Sequence, residues 1–223
     1  MITTESTSKR SGTPARGDST EKYNVRLHDI LESAAHLFAK KGYHNTSIRD
    51  LASELGTSLA GLYYYFETKE DLLFLISQNS FDSVMSSLDK KFSMEHRPHE
   101  KLRILVVNHM QYFVSHLDAM KVLAHESESL SGSYYEIITE KKKKYIRLVE
   151  QLLMDVLRNE RARVPKRTTR EIKIAALSLF GMMNWTYTWY DPDRRNGSAH
   201  IQKIANEMVD LFLRGFTAHF CTT

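Results

Sequence analysis

The chain has 223 residues, of which 42% are hydrophobic and 26% charged, with a net charge of +4. These values are ordinary for a soluble globular protein. The length is sufficient for a small N-terminal domain and a larger second domain. The single cysteine, Cys221, excludes an intramolecular disulfide and a thiolate metal cluster. No apolar run approaches the roughly 20 residues of a membrane span, and residues 1–18 contain no secretory core. We therefore expect a cytoplasmic protein with no membrane partner.

The N-terminal segment is rich in Ser, Thr, Gly and charged residues, and we predict a disordered basic arm over residues 1–21. Such an arm either adds contacts to DNA, as homeodomain arms do, or is a solvated tail. A first helix follows and ends at Gly42, because one face of it carries apolar side chains at helical spacing. Those side chains are Leu27, Ile30, Leu31, Ala34, Leu37 and Phe38.

Two short helices follow, and each has its own start signal. Ser47 and Asp50 form a capping box for the first short helix, and Gly56 ends it. Ser58 caps the second short helix, which buries Leu62 against the first. Two short helices joined by a glycine turn are typical of a helix-turn-helix, which inserts its second helix into the major groove of DNA.

The outward side of the second short helix has the composition of a DNA-contacting surface. Its small and apolar residues can approach the groove floor and contact a thymine methyl group. Nearby tyrosine, threonine and lysine side chains suit phosphate oxygens, whereas Tyr65 borders the buried residues and is expected to be covered. The predicted DNA-binding residues are Thr46, Ser47, Ser58, Leu59, Ala60, Gly61, Tyr63, Tyr64 and Lys69.

These motifs closely resemble those of the TetR family of transcriptional regulators. Residues 42–52 read Gly-Tyr-x-x-Thr-Ser-Ile-Arg-Asp-Leu-Ala, and residues 55–73 read Leu-Gly-Thr-Ser-x-x-x-Leu-Tyr-Tyr-Tyr-Phe-x-x-Lys-Glu-Asp-Leu-Leu. The resemblance covers about the N-terminal third of the chain. It implies a homodimer that binds double-stranded operator DNA and a small-molecule effector.

The rest of the chain has helical period, and no segment alternates convincingly with period two. We therefore predict an all-α fold, with a three-helix helix-turn-helix head at 22–68 and a helical ligand-binding and dimerisation domain at 69–223. Breaks are expected at 127–133, 164–166 and 191–197. The helices of this domain are expected to begin near Lys69, Pro98, Asp118, Tyr134 and Thr169 and before Ile201.

The run Lys141–Lys144 invites a nucleic-acid interpretation. On a helix, however, four successive lysines point around most of the circumference. The neighbouring Ile138, Tyr145 and Leu148 supply a buried stripe. We therefore favour a solvated helix face over a second DNA site.

The last two helices have the pattern of an interface pair. Small residues allow close helix approach, and a final stripe of apolar residues can pack against a symmetry mate in a four-helix bundle. The alternative is that both stripes are intramolecular core, and the TetR resemblance favours the dimer. The predicted interface residues are Ala175, Leu179, Met182, Ile204, Met208, Leu211 and Phe212.

Residues 181–192 combine the only two tryptophans, one helical turn apart, with polar residues such as Asn184. By spacing alone, an aromatic stripe is typical of a core. The string Asn-Trp-Thr-Tyr-x-Trp-Tyr nevertheless resembles that of TetR-family regulators that sense acyl-coenzyme A thioesters. This resemblance implies an acyl-CoA or related lipid-like effector, with Arg147 or Lys144 meeting the CoA phosphates. The implied ligand-binding residues are Met110, Phe113, Tyr145, Arg147, Leu148, Trp185 and Trp189.

These observations predict a repressor that a lipid-like effector releases from a palindromic operator. One alternative is an enzyme acting on thioesters, but the sequence has no Gly-x-Ser-x-Gly elbow and no His-Glu-x-x-His pair. We accordingly expect no catalytic residue, no metal site and no cofactor besides the effector. The sequence is also compatible with a DNA-binding regulator without an inducer and with a regulator that activates.

Overall fold

A computed structural model of the protein describes residues 16–92, 96–160, 168–190 and 197–221. These residues form helices and turns and contain no strand, which confirms the predicted all-α class. Within the same ranges, no helix is long and apolar enough to cross a membrane. Two 3₁₀ turns lie at Ser127–Ser129 and Trp185–Thr188, and the α-helices are α1 Arg16–Lys41, α2 Ile48–Glu54, α3 Leu59–Tyr63, α4 Lys69–Lys91, α5 Pro98–Ser115, α6 Leu117–His125, α7 Gly132–Asn159, α8 Thr168–Asn184 and α9 Gly197–Cys221.

The predicted N-terminal arm and two predicted breaks lie wholly or partly outside the described residues. Helix α1 begins at Arg16, so residues 16–21 are helical and the predicted disordered arm is corrected there, while residues 1–15 lie outside the described ranges. The predicted break at 164–166 and most of the break at 191–197 also fall outside them.

Local capping defines the short helices of the head. Gly42 follows α1 with φ +84° and Gly56 follows α2 with φ +58°, a left-handed conformation that glycine adopts without strain. The Asp50 amide donates to Ser47 Oγ at 3.2 Å, and the Ser47 amide donates to Asp50 Oδ2 at 2.8 Å. Hydrogen bonds from Ser47 and from Lys41 hold the pKa of the Asp50 carboxyl well below its usual range. The start of α2 is therefore fixed by residues within a few positions of each other.

The core of the head extends beyond the predicted boundary at residues 68/69. Helix α4 contributes Leu72, Leu73 and Ile76 to it, and the body contributes Val122 and Ile138. The first turns of α4 therefore belong to the packing of the head, while its later residues pack in the body. The other buried members of this cluster are Ile30, Ala34, Ala35, Leu37, Phe38, Tyr43, Leu51, Ala52, Leu62, Phe66 and Leu130.

The body is organised around α5, which packs against α4, α7 and α9, while α8 packs along α7. Its apolar core runs from Val84 on α4 to Phe220 on α9. Asn108, buried on α5, donates to the Val84 carbonyl at 3.1 Å and accepts from Ser87 at 2.8 Å. Because a buried amide is costly without partners, these bonds fix α4 against α5 in one register.

Candidate DNA-binding and ligand-binding sites

Helix α3 presents an exposed face at the tip of the head. The side chains of Tyr63 and Tyr64 are 51% and 72% exposed, and Ala60 is also exposed. The hydroxyl of Ser58 accepts from the Gly61 amide at 3.1 Å and so caps the helix. Leu59 was predicted to point outward, but it is half-buried and packs partly against the head core. The accessible part of the predicted DNA-contacting surface is therefore centred on residues 60–64.

Two predicted phosphate contacts have structural partners instead. Thr46 is buried, and its hydroxyl donates to the Gly42 carbonyl at 2.8 Å. Lys69 Nζ donates to the carbonyls of Tyr43 and Thr46 at 2.9 and 3.0 Å and lies 4.3 Å from the centroid of the Tyr43 ring. These side chains tie the turn between α1 and α2 to α4, which corrects their assignment as DNA contacts. Ser47 is exposed, although its hydroxyl also takes part in the α2 capping box.

An aromatic cluster braces α3 from the side of α1. The Tyr23 ring stacks on Tyr65 with centroids 4.9 Å apart and meets Tyr64 edge-on at 5.8 Å. Such aromatic pairs add roughly 0.5–1.5 kcal/mol beyond burial. Tyr23 was not among the predicted site residues, because nothing in its local sequence places it next to α3.

The body contains a cavity of about 310 Å³ between helices α4 to α8. Its lining is mainly apolar, and Lys142 is the one charged side chain on it among the described residues. Lys142 and Leu177 are exposed and mark the rim, whereas His109 and Phe113 are buried. The lining residues are Ser80, Phe81, Val84, His109, Phe113, Met120, Leu123, Ala124, Ser127, Ile138, Lys142, Tyr145, Ile146, Leu177, Phe180, Gly181 and Asn184.

One wall of the cavity is polar. His109 Nε2 lies 3.2 Å from Asn184 Oδ1, and His109 Nδ1 lies 3.3 Å from the Tyr145 hydroxyl. Burial lowers the pKa of His109 to about 4 and raises the pKa of Tyr145 far above its usual value. Both side chains are therefore neutral at pH 7, and the inner wall carries hydrogen-bonding groups without charge.

The predicted ligand residues separate into two groups. Phe113 and Tyr145 line the cavity, whereas Met110 is fully buried in the body core and Leu148 packs against that core. Arg147 is exposed and pairs with Glu140, away from the lining. These three assignments are therefore corrected.

The two tryptophans are also absent from the cavity lining. Trp185 and Trp189 are 63% and 53% exposed on the body surface. The α-helix tightens into a 3₁₀ turn at Trp185, and Thr186 and Tyr190 are buried in their place. Sequence reasoning assumed that an α-helix continued through this segment and so assigned the wrong side chains to the interior.

The sequence prediction missed most of the cavity lining, including His109, Asn184 and the charged Lys142. His109 and Asn184 are polar positions within otherwise apolar helical stripes, a signal that was available. Lys142 lies one turn before Tyr145 on the same face of α7, so the predicted position of Tyr145 also implied it. The run 141–144 is otherwise solvated, and Lys141 pairs with Asp82 while Lys143 lies 3.9 Å from Glu140.

Several exposed apolar side chains lie on α8, on the following 3₁₀ turn and on α9, and we call this set the exposed apolar face. Met182 and Leu211, two of the predicted dimer residues, are exposed on it. Leu179 and Met208 are instead buried in the body core of the subunit, where α8 packs on α7 and α9 packs on α5. Their assignment to the interface is therefore corrected, while Ala175, Ile204 and Phe212 are partly buried. The exposed members of the face are Ile174, Leu177, Met182, Trp185, Trp189 and Leu211.

Family models match both parts of the chain. Residues 30–76 match the model for bacterial regulatory proteins of the tetR family, and residues 95–216 match a tetracyclin repressor-like C-terminal domain. The first match runs from the second half of α1 to the first turns of α4. The second covers more than half of the chain.

Similar proteins that match over most of the chain are named regulators. The chain is 19% identical to the fatty acid metabolism regulator protein of Bacillus subtilis (strain 168), over 83% of this chain and 93% of that protein. It is 22% identical to the transcriptional repressor KstR2 of Rhodococcus jostii (strain RHA1), over 92% of this chain and 98% of that protein.

Solved structures agree with this grouping. The TetR family regulator PfmR from Thermus thermophilus matches with a TM-score of 0.71 and 28% identity, over 83% of this chain and 97% of that one. AibR, solved in complex with isovaleryl coenzyme A and operator DNA, matches with a TM-score of 0.68, 28% identity and the same coverage. Regulators of this kind bind operator DNA as dimers and respond to small-molecule effectors. The chain belongs to the TetR family of bacterial transcriptional regulators.

Proposed function

We propose that this regulator is a repressor that an acyl-CoA releases from a palindromic operator, and that the effector's acyl group occupies the body cavity. The observation that carries the proposal is the chemistry of the cavity lining. It is apolar along most of its length, uncharged at its inner wall and positively charged at its rim through Lys142. An acyl-CoA has the matching order of groups, because its acyl chain is apolar and its nucleotide end is anionic.

The size of the cavity supports the same division of the ligand. Ligand pockets begin at about 300 Å³, and this cavity is about 310 Å³. It is therefore suited to an acyl group, and the nucleotide end of the effector would extend past Lys142 into solvent.

Lys142 is the best placed cation for the phosphate groups. Lys141 pairs with Asp82, and Arg147 pairs with Glu140. No carboxylate in the described part of the chain forms an ion pair with Lys142, which leaves its ammonium group available to an anionic ligand. The proposal therefore moves the predicted phosphate contact from Arg147 or Lys144 to Lys142.

The relatives support an acyl-CoA effector by analogy. AibR was solved with isovaleryl coenzyme A, and one curated relative regulates fatty acid metabolism by its name. At 28% and 19% identity, these similarities support acyl-CoA as the class of effector and do not specify the length of its acyl chain.

Ligand binding is linked to DNA binding through a set of contacts that we call the body–head clamp, formed by Glu126, Ser131 and Tyr134. The Tyr43 amide donates to Glu126 Oε1 at 3.1 Å, and the Ser131 amide donates to Glu70 Oε1 at 2.7 Å. The Tyr134 hydroxyl donates to Asp71 Oδ1 at 2.8 Å.

The clamp lies between two residues of the cavity lining along the chain. Ala124 precedes it and Ile138 follows it, and both line the cavity. Helix α4 makes the same connection, because Phe81 lines the cavity while Leu72 packs in the head. A ligand that moves this wall would therefore change the position of the head, and it favours one arrangement only by binding it more tightly.

Two heads must face successive major grooves, so their spacing depends on the dimer. We propose that the subunits meet over the exposed apolar face of α8 and α9, which includes Leu211 and Met182. An exposed apolar face of this kind is typical of a subunit interface. Leu211→Asp is expected to yield monomers in sedimentation equilibrium, whereas Val25→Asp, at an exposed site on α1, leaves the dimer intact.

Fluorescence anisotropy tests the main proposal. The protein is titrated onto labelled DNA from upstream of its own gene and onto scrambled DNA, with and without acyl-CoAs from acetyl to dodecanoyl. We expect salt-dependent binding that favours the upstream DNA and is released by one range of chain lengths. Specific binding without release would retain the regulator and reject the acyl-CoA effector.

A matched pair of lysine variants tests the position of the ligand. In Lys142→Gln the releasing acyl-CoA should be needed at roughly three- to tenfold higher concentration, since one charge-assisted contact is lost. In Lys144→Gln, which removes the same charge from an exposed site outside the lining, the release curve should stay unchanged. An equal effect of both variants would contradict the placement.

A further inference from the structure

The polar wall of the cavity has a geometry that the apolar part of an acyl chain does not explain. His109, Tyr145 and Asn184 come from α5, α7 and α8 and meet on the lining. Burying such groups is costly unless they form hydrogen bonds. An apolar pocket for a plain hydrocarbon would be more stable with apolar residues at these positions.

The hydrogen bonds within this wall assign its protons. Asn184 Oδ1 can only accept, so His109 Nε2, 3.2 Å away, carries the proton and donates. The neutral imidazole then accepts at Nδ1, and the Tyr145 hydroxyl donates to it over 3.3 Å. The His109 ring is therefore satisfied on both sides by its neighbours.

Two hydrogen-bonding positions remain after this assignment. The amide NH₂ of Asn184 has no hydrogen-bond acceptor within the described ranges, although Asn184 lines the cavity. The Tyr145 oxygen donates its proton to His109 and keeps its lone pairs for a further donor. The wall thus offers one donor and one acceptor, both neutral, to a molecule inside the cavity.

We propose that Asn184 and Tyr145, aligned by His109, bind a neutral oxygen of the effector, a carbonyl or hydroxyl oxygen, inside the cavity. This inference rests on the proposed function in taking the cavity as the effector site. The oxygen is either the thioester carbonyl or a substituent on the acyl chain. A carbonyl takes the Asn184 donor, and a hydroxyl can use the Tyr145 oxygen as well.

A pair of CoA-free probes tests the hydrogen bond directly. 2-Octanone and 2-methyl-1-octene have nearly the same shape, because a methylene group replaces the carbonyl oxygen. Their dissociation constants are measured by ligand-detected NMR titration on the full-length protein and on Asn184→Leu. The preference for the ketone over the alkene should fall about three- to tenfold in the variant, the range for one hydrogen bond.

Phe113→Leu is the matched control, because it changes an apolar residue of the same cavity and should shift both probes equally. An equal ketone preference in wild type and Asn184→Leu, or no binding of either probe, would overturn the inference. A measurement on the wild type guards against misfolding of the variant. The carbonyl stretch of bound 2-octanone should lie below its frequency in an alkane, and an alkane-like frequency would also overturn the inference.

A second set of probes distinguishes the source of the oxygen. Weaker binding of the thioether S-hexyl-CoA than of hexanoyl-CoA identifies the thioester carbonyl. If S-hexyl-CoA and hexanoyl-CoA bind with equal affinity and 3-hydroxyhexanoyl-CoA binds more tightly than both, the oxygen is a substituent on the acyl chain. If no acyl-CoA binds while the ketone preference depends on Asn184, the acyl-CoA proposal fails and the neutral-oxygen site stands.

Discussion

The side-chain caps of α2, α3 and α4 in the head join residues three positions apart, whereas the hydrogen bonds on the cavity wall span 36 and 75 positions. The head is thus built from local signals that each satisfy their own backbone. The wall exists only after α5, α7 and α8 have packed. Short-range hydrogen bonds suit a rigid DNA-contacting unit. Long-range packing of separate helices allows a cavity in which some polar groups keep an unused donor or acceptor for a ligand.

The two regions also have separate apolar cores that share few residues. Leu62 and Leu72 belong to the head cluster, and Leu153 and Val149 belong to the body cluster. Phe81 of α4 packs against both. We therefore expect that the head can be weakened without destroying the cavity.

The largest effect is expected from Leu62→Ala in the head core. Leu62 is 1% exposed, so the cavity left behind should cost about 2–5 kcal/mol of unfolding free energy. DNA binding should weaken strongly while the affinity for acyl-CoA changes little. Urea unfolding and the two binding titrations measure this, with the exposed Val25→Ala as control within about 0.5 kcal/mol. Equal loss of both binding activities would contradict the separation of the cores.

A pH effect should arise in the body from His109. Burial lowers its pKa in the folded chain to about 4, below the ordinary value of 6.5, so the unfolded chain binds the proton first. Stability is therefore lost as the pH falls from 6.5 toward 4, by about 2 kcal/mol between pH 7 and pH 5. Urea unfolding at fixed protein concentration should show this loss in the wild type and a smaller one in His109→Gln. An identical pH dependence in both proteins would disprove a buried neutral His109.

Loss of a helix cap should have a smaller effect. Thr68 Oγ1 accepts from the Asp71 amide at 3.1 Å, and the Thr68 amide donates to Asp71 at 2.8 Å. Thr68→Ala should cost about 1 kcal/mol of unfolding free energy. Ser86→Ala, at an exposed site in the middle of α4, is the matched control and should change stability by less than about 0.5 kcal/mol. The cap is not important if both variants unfold at the same urea concentration.

The smallest effect is expected at the body–head clamp, in the coupling between ligand and DNA. Tyr134→Phe removes the hydrogen bond to Asp71 but keeps the stack on Phe74, whose ring centroid is 4.2 Å away. The factor by which acyl-CoA weakens DNA binding should change by about fivefold, since residues along a coupling path contribute about 1 kcal/mol. Tyr135→Phe, at the exposed neighbouring position, should leave this factor unchanged. If this factor is unchanged in both variants, Tyr134 does not take part in the coupling.

The comparison of head and body also explains which features were predictable. The capping residues Ser47, Ser58 and Thr68 and the end signals Gly42 and Gly56 act within one helical turn, so the sequence predicts them directly. The all-α fold follows from the same kind of periodicity. The sequence does not show which side chains are free to reach DNA. Thr46 and Lys69 have the right chemistry for phosphate, but backbone carbonyls hold both side chains.

The ligand site was predicted only in part for the same reason. Phe113 and Tyr145 lie on apolar stripes that face the interior in any packing of these helices. The positions of Trp185 and Trp189 depend on a change from α-helix to 3₁₀ turn, and the local sequence does not predict this change. Lys142 was grouped with a solvated run because its role depends on which side of α7 faces the cavity.

A thermodynamic cycle on the wild-type dimer tests most directly whether ligand in the cavity controls DNA binding. The affinity for the acyl-CoA that releases the operator most effectively is measured by calorimetry, without DNA and with saturating operator DNA. We expect weaker ligand binding on the operator, by the same factor by which that ligand weakens DNA binding. Equal ligand affinity in both conditions would contradict a regulator that works through its cavity.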